Sequence, residues 1–191
     1  MSETFRIAIV HYHLRTGGVT RVIQHASSAL SGQVKMVVIV GEPPQVEAPL
    51  PHVAVINGLG YEGARQKRGA QQLVQQMRMA ARRVLGAPPH IWHFHNHALG
   101  KSRVLPEVVY HLAQTGERLL LQLHDFAEDG RPANYRFLLD HLGGDTGKLG
   151  ALLYPQASHV HYAVLNRRDQ CFLQRAGVPE THLHLLPNAV W

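Results

Sequence analysis

The sequence predicts an α/β fold: a doubly wound, Rossmann-like three-layer sandwich on a mostly parallel sheet of about six or seven strands. Apolar runs alternate with amphipathic helical stretches along the whole chain. The run Val34–Val40 is largely β-branched and nearly unbroken, as in a strand buried on both faces. Polar clusters follow the ends of successive strands, where ligands bind in an open parallel sheet.

Arg6–His11 reads as the first strand. Gly18–Leu30 follows as a helix, with Val19, Val22, Ile23, Ala26, Ala29 and Leu30 at helical spacing. Val34–Val40 is a strand ended by Gly41-Glu42-Pro43-Pro44, and a Pro-rich loop runs to Pro51. Val53–Ile56 is a short strand. Gln71–Leu85 is a helix with a core stripe of Leu73, Met77, Ala80, Ala81 and Val84, its Gln75, Arg78, Arg82 and Arg83 facing water.

Ile91–His95 and Arg118–His124 are strands flanking a helix over Lys101–Gln114. With Arg6–His11 and Val34–Val40 they are expected at the centre of the sheet. Beyond Asp125 the pattern is less regular, with a helix over Asn134–His141 and a turn at Gly143-Gly144. His159–Leu165 (strand), Arg168–Ala176 (helix) and His182–Leu186 (strand) complete the series.

At 191 residues the chain is expected to form one domain with a continuous core. It has no run of about 18 apolar residues and no secretory signal at its start. The single cysteine, Cys171, reads as helix filler and suits a reducing cytoplasm. The formal charge is +6. Much of the excess lies in Arg65, Lys67, Arg68, Arg78, Arg82 and Arg83, and in Arg167-Arg168. These form either a solvated helix face or a face for anionic partners: sugar nucleotides, or the headgroups of an anionic membrane contacted peripherally. Nucleic acid is not expected, because the basic residues are not interleaved with aromatics and no nucleic-acid motif appears.

The most informative stretch is RIAIVHYHLRTGGVTRVI. A strand runs into a polar loop carrying Arg15, Thr16, Gly17 and Gly18, and a helix begins at once. A helix N-terminus offers unpaired N–H groups and partial positive charge to a phosphate, and glycines admit a ligand close to the backbone. Thr16-Gly17-Gly18-Val19-Thr20 has no third glycine, so it is not the dinucleotide fingerprint. Further clusters follow later strands: His95, Asn96 and His97; then His124, Asp125, Glu128 and Asp129; then Asn166, Arg167 and Arg168. His124 ends an apolar strand, where a neutral imidazole can bond a sugar hydroxyl.

The histidines pose a rival. His93, His95 and His97 alternate, so a continuous strand would place all three on one face, as a metal-dependent hydrolase requires. Asp125, Glu128 and Asp129 are the only obvious carboxylates to complete such a site. A non-catalytic module that binds sugar nucleotides is a second rival.

Four segments, in order, resemble the N-terminal domain of retaining GT-B glycosyltransferases of the glycogen synthase and sucrose synthase type (group 1, family 4). They are RIAIVHYHLRTGGVTRVI, IWHFHNHA, LLLQLHDF, and HVHYAVLNRRDQCFLQRAGVPETHLHLLPNAV, which looks like the stretch closing that domain at "PNGV". The resemblance implies that Gly17 and Gly18 border the donor phosphates and the acceptor, that His124 contacts the donor sugar, and that Asn188 lies in a hinge. Thr16, Arg15, His95, Asn96, Asp125 and Asn166 would line the same cleft. It implies a nucleotide-sugar donor, no cofactor, and no metal in this half. Ala189 replaces the usual glycine of "PNGV", and Asn166 stands where the family often has serine. Nothing matches the glutamate motif of the family's donor-binding domain. The chain is therefore expected to be the acceptor-side half, residues 1–191, inactive without its C-terminal domain.

Overall fold

Seven strands form one all-parallel sheet in the computed structural model, which describes residues 4–45, 50–61 and 68–188. They are β1 (Arg6–His11), β2 (Lys35–Val40), β3 (His52–Val55), β4 (Ile91–His95), β5 (Leu119–Leu123), β6 (Val160–Val164) and β7 (Leu183–Leu185). Their order is β3-β2-β1-β4-β5-β6-β7. The four runs expected at the centre are β2, β1, β4 and β5, side by side. The order reverses between β1 and β4, so the crevice of the fold lies beyond the carboxyl ends of those two strands.

The helices are α1 (Gly18–Ala29), α2 (Ala70–Leu85), α3 (Val104–Gln114), α4 (Pro132–His141), α5 (Thr146–Leu153) and α6 (Arg167–Arg175). Right-handed crossovers decide which face each one covers. Connections running from β3 toward β7 put α2 to α6 on one face, where Leu73, Met77, Leu105, Leu112, Leu149, Leu153 and Leu173 pack on Val10, Phe94, Leu121 and Tyr162. The connection from β1 to β2 runs the other way. It puts α1 on the opposite face, where Ile23 meets Ile9, Met36 and Val38. The described part of the β2–β3 connection carries no helix. That second face is consequently helix-covered over β1 and β2 but carries a 690 Å³ hollow bordered by Leu120, His161, Ala163 and His184.

Three expectations change. The helix expected from Lys101 begins at Val104. Gly100, at φ 79, packs so tightly on Asn134 that a Cβ would lie 2.7 Å from its carbonyl oxygen, and Ser102 Oγ accepts Leu105 N–H at 3.2 Å. The second change is α5, an unexpected helix just after the expected turn at Gly143-Gly144; it forms because Asp145 caps it through Lys148 N–H and Leu149 and Leu153 bury together. The third is Cys171, which is exposed on α6 and fills no core position. On α2 the buried stripe is Leu73, Val74, Met77, Ala81 and Leu85, with Ala80 and Val84 partly covered. Arg65, Lys67 and Ala189 lie outside the described residues.

Candidate active site

The carboxyl ends of β1 and β4 are tied to each other. His11 Nδ1 donates to the His95 carbonyl at 3.2 Å, and the buried Tyr12 hydroxyl donates to the His97 carbonyl at 3.2 Å. The two loops that flank the topological switch thus share one hydrogen-bonded floor.

Asn96 sits between them in the left-handed region, at φ 56, and is 2% exposed. Asparagine tolerates this conformation better than most residues. Its Oδ1 accepts both His124 N–H, at 2.6 Å, and Asp125 N–H, at 3.1 Å, while its Nδ2 donates to Asp125 Oδ2. The side chain that sequence reasoning assigned to substrate is thus spent on fixing the end of β5.

The left-handed turn at Asn96 also overturns the single histidine face. β4 ends at His95, so alternation stops before His97. The His93 and His95 rings lie 4.3 Å apart, tilted by 33°, and His93 bonds Gln122, whereas His97 is buried with its Nε2 donating to the Leu153 carbonyl on the α5 side. No group of three or more His, Cys, Asp or Glu among the described residues is placed to hold a metal ion.

His95 and His124 bond through their rings, Nδ1 to Nε2, at 2.9 Å. His95 Nε2 is buried with no partner among the described residues. A buried orphan N–H is rarer than an under-satisfied acceptor, so the hydrogen-bond pattern assigns the shared proton to His95 Nδ1, leaving Nε2 a bare lone pair. His124 must then carry its own proton on Nδ1, the nitrogen left for a ligand. Burial holds the His124 imidazole down at about 4, against a smaller upward pull from Asp125. His95 is held well below the usual histidine range by burial and by the neighbouring histidines. The pair is neutral near pH 7, and His124 presents an uncharged donor.

Gly17 caps α1 in an extended conformation, without a side-chain hydrogen bond at the cap and without an acidic residue in the first turn. Thr20 Oγ1 donates to the Arg15 carbonyl at 2.6 Å and shapes the approach. A Cβ on Gly17 would come no nearer than 4.0 Å to another atom, and one on Gly18 would meet nothing within 4 Å. Neither glycine has the positive φ that calls for glycine. The fold itself does not require glycine at either position.

Residues that sequence reasoning did not single out complete the rim. Gly41 and Gly60 touch so closely that a Cβ on Gly41 would clash with the Gly60 backbone, which clamps the loop after β3 against that after β2. The clamp presents Tyr61, whose ring packs on Tyr12 at 5.0 Å and His13 at 4.8 Å. Lys101 Nζ stands 5.9 Å from the Tyr61 ring centre. Arg15 pairs with Glu42 at 2.6 Å, and Arg131 with Asp125 at 2.9 Å. A glycine-flanked aromatic after a strand, at the ligand edge, was the signal available. Asn166 caps α6, its Oδ1 accepting Asp169 N–H and its Nδ2 reaching Asp169 Oδ2. That exchange engages both ends of its amide within the protein.

No family model matches the chain. It is similar to the mannosylglucosyl-3-phosphoglycerate synthase of Petrotoga mobilis, with 24% identity over 192 aligned residues. The match covers 95% of this chain but 36% of that protein, so the chain spans little more than a third of its curated relative.

Proposed function

We propose that this chain is the N-terminal, acceptor-side half of a GT-B glycosyltransferase that moves a hexosyl group from a nucleotide-sugar donor to an acceptor, with retention of configuration. The observation that carries this is the loop at Gly17 and Gly18. Two successive glycines that the fold does not require sit at an uncapped helix N-terminus beside the switch point, where an approaching phosphate needs bare backbone. The relative, a synthase of a glycosylated compound, supports the same reading.

In this reading the bond from the sugar's anomeric carbon to the nucleoside diphosphate breaks, and one to an acceptor oxygen forms. Gly17 and Gly18 N–H groups meet the diphosphate as it gains charge. His124 Nδ1–H bonds a donor-sugar oxygen, with His95 and Asn96 positioning it. Arg15, Thr16 and Asp125 lie along the same edge, and Asn166 serves through α6 rather than by its own amide. A second domain supplies the remaining donor contacts, and closure of the two halves orients donor and acceptor. The reaction draws on no cofactor and on no metal from this half. With His97 turned away from His93 and His95, the hydrolase rival loses its third ligand.

The test is to titrate a nucleoside-diphosphate sugar into the chain while following backbone amide signals. Weak binding that shifts Gly17 and Gly18, without transferase activity, is expected. Tight saturable binding, or shifts elsewhere, would contradict the half-site reading. A protein in which this segment is joined to no second domain would favour the binding-module rival.

The basic surface on α2 remains a proposal for peripheral contact with an anionic membrane on the cytoplasmic side. Among the described residues, no helix is long and apolar enough to cross a membrane.

A further inference from the structure

The rim around Tyr61 gathers charge from three loops. Arg15 comes from the loop after β1, Lys101 from that after β4 and Arg131 from that after β5, while Glu42 and Asp125 face them. Three permanent cations meet two carboxylates, and burial keeps the adjoining His13 imidazole low, helped by Arg15. Among the described residues the surplus is therefore one positive charge.

That charge is unevenly satisfied. Lys101 makes no ion pair with any described residue and has only the Tyr61 ring beneath it. Arg15 and Arg131 each commit a single Nη2 to their carboxylate, although a guanidinium carries five N–H donors in a fork suited to two-oxygen anions. His13 Nδ1 is buried without a partner among the described residues. Tyr61 is 38% exposed, an aromatic held at the rim by a glycine contact that leaves no room for adjustment. Burial raises the Tyr61 phenol, and both guanidiniums and both carboxylates act on it, so all four groups lie within electrostatic reach of one ring.

We propose that Lys101, Arg15 and Arg131 around Tyr61 form a subsite for an anionic group on the acceptor, a phosphate monoester or a carboxylate. This rests on the glycosyltransferase reading and names the class of acceptor that reading leaves open. The subsite is separate from the Gly17-Gly18 helix terminus, which is reserved for the donor diphosphate. Solvated surface cations would not be expected on three loops around one clamped aromatic. The relative, named for a 3-phosphoglycerate compound, is compatible with the class.

The experiment uses the chain with three probes, followed by NMR of backbone amides and the Tyr61 ring: 3-phosphoglycerate, inorganic phosphate, and uncharged glycerol. The subsite predicts that 3-phosphoglycerate shifts Tyr61, Lys101 and Arg131, that glycerol at the same concentration does not, and that Lys101→Met weakens binding at least fivefold while leaving the remaining spectrum unchanged. Inorganic phosphate binding as well as 3-phosphoglycerate assigns the site to a phosphate group. Failure of phosphate alone assigns it to the carboxylate. Shifts centred on Gly17 and Gly18, equal shifts with glycerol, or unchanged affinity in Lys101→Met would each overturn the proposal. A parallel titration with a nucleoside-diphosphate sugar separates the two claims. Donor shifts at Gly17 and Gly18 together with a Tyr61 rim that stays silent to 3-phosphoglycerate sink the subsite alone, whereas a glycine loop silent to the donor sinks the transferase reading.

Discussion

Asn96 holds His124 by the backbone while its neighbour His95 holds the same residue by the ring, at 2.6 Å and 2.9 Å. Two consecutive residues, the last of β4 and the first beyond it, thereby fix both the place and the tautomer of a histidine 29 and 28 positions away.

Asn96→Gly keeps the left-handed turn but deletes the amide. It is expected to destabilise the chain by about 1–3 kcal/mol, the usual loss for buried hydrogen bonds. Asn96→Ala adds about 1 kcal/mol of backbone strain. In both, His124 is freed toward solvent and its pKa climbs from about 4 toward 6.5. Ring titration by NMR checks this, with nitrogen shifts reporting the Nδ1–H tautomer in the parent. An unmoved His124 titration in Asn96→Gly would remove the positioning role.

Acid should weaken the fold well above the carboxylate range. Burial lowers His11, His93, His97 and His124 to about 4, so between roughly pH 4 and 6.5 the unfolded chain binds protons that the folded chain refuses. Their contribution is whole above pH 6.5 and is lost as pH falls toward 4, by up to about 1.4 kcal/mol per pH unit for each imidazole. Urea midpoints at pH 7.5 and pH 5 should differ clearly. A flat profile would mean that these rings are hydrated.

Glycines at the same edge should respond in opposite ways. Gly17→Ala and Gly18→Ala leave the fold within about 0.5 kcal/mol, since each Cβ has room, yet weaken donor binding. Gly41→Ala drives a Cβ into the Gly60 backbone and should destabilise by about 3 kcal/mol. Thermal melts of the three variants decide it. A stable Gly41→Ala would disprove the loop clamp.

The basic surface offers less to a membrane than its sequence implied. Arg78 is tied to Glu117 and Thr115, and Arg68 to Asn57 and Gln76. Among the described residues of this surface, Arg82 and Arg83, exposed in the last turn of α2, remain, worth about 1 kcal/mol each near an anionic leaflet. Co-sedimentation with anionic vesicles should be weak, confined to low salt, and abolished in Arg82→Gln/Arg83→Gln. Binding that persists at high salt would require another surface.

The strands were legible because an all-parallel sheet buries them on both faces, leaving apolar runs that helices and loops lack. β1 and β4 match their expected limits residue for residue. The clustering of polar residues at the carboxyl edge of the sheet, where the candidate site lies, was legible too, since polar residues at strand ends have few other reasons to cluster. Side-chain direction was not. A strand alternation was extended through Asn96, although asparagine is among the residues that enter the left-handed region and break it. Asn166 was read as a ligand when Asn166 and Asp169, three apart at a helix start, spelled a cap. Tyr61 escaped because the local signal, a glycine before an aromatic after β3, does not reveal the Gly41–Gly60 contact between two loops that fixes its place.

The seam between β1 and β4 joins residues 84 positions apart. Closing a loop of that length costs about 4 kcal/mol of chain entropy, more than the local β1–α1–β2 or β4–α3–β5 units require. Those units are therefore expected to form first and to dock afterwards. His11 meets the β4 loop only at that docking, so partly folded chains would hold a glycine loop and a histidine pair with no cleft between them. Pulsed hydrogen exchange during refolding would show this as the amides bonded across the β1–β4 seam protected in the last phase, and the site would come into being as the final act of folding.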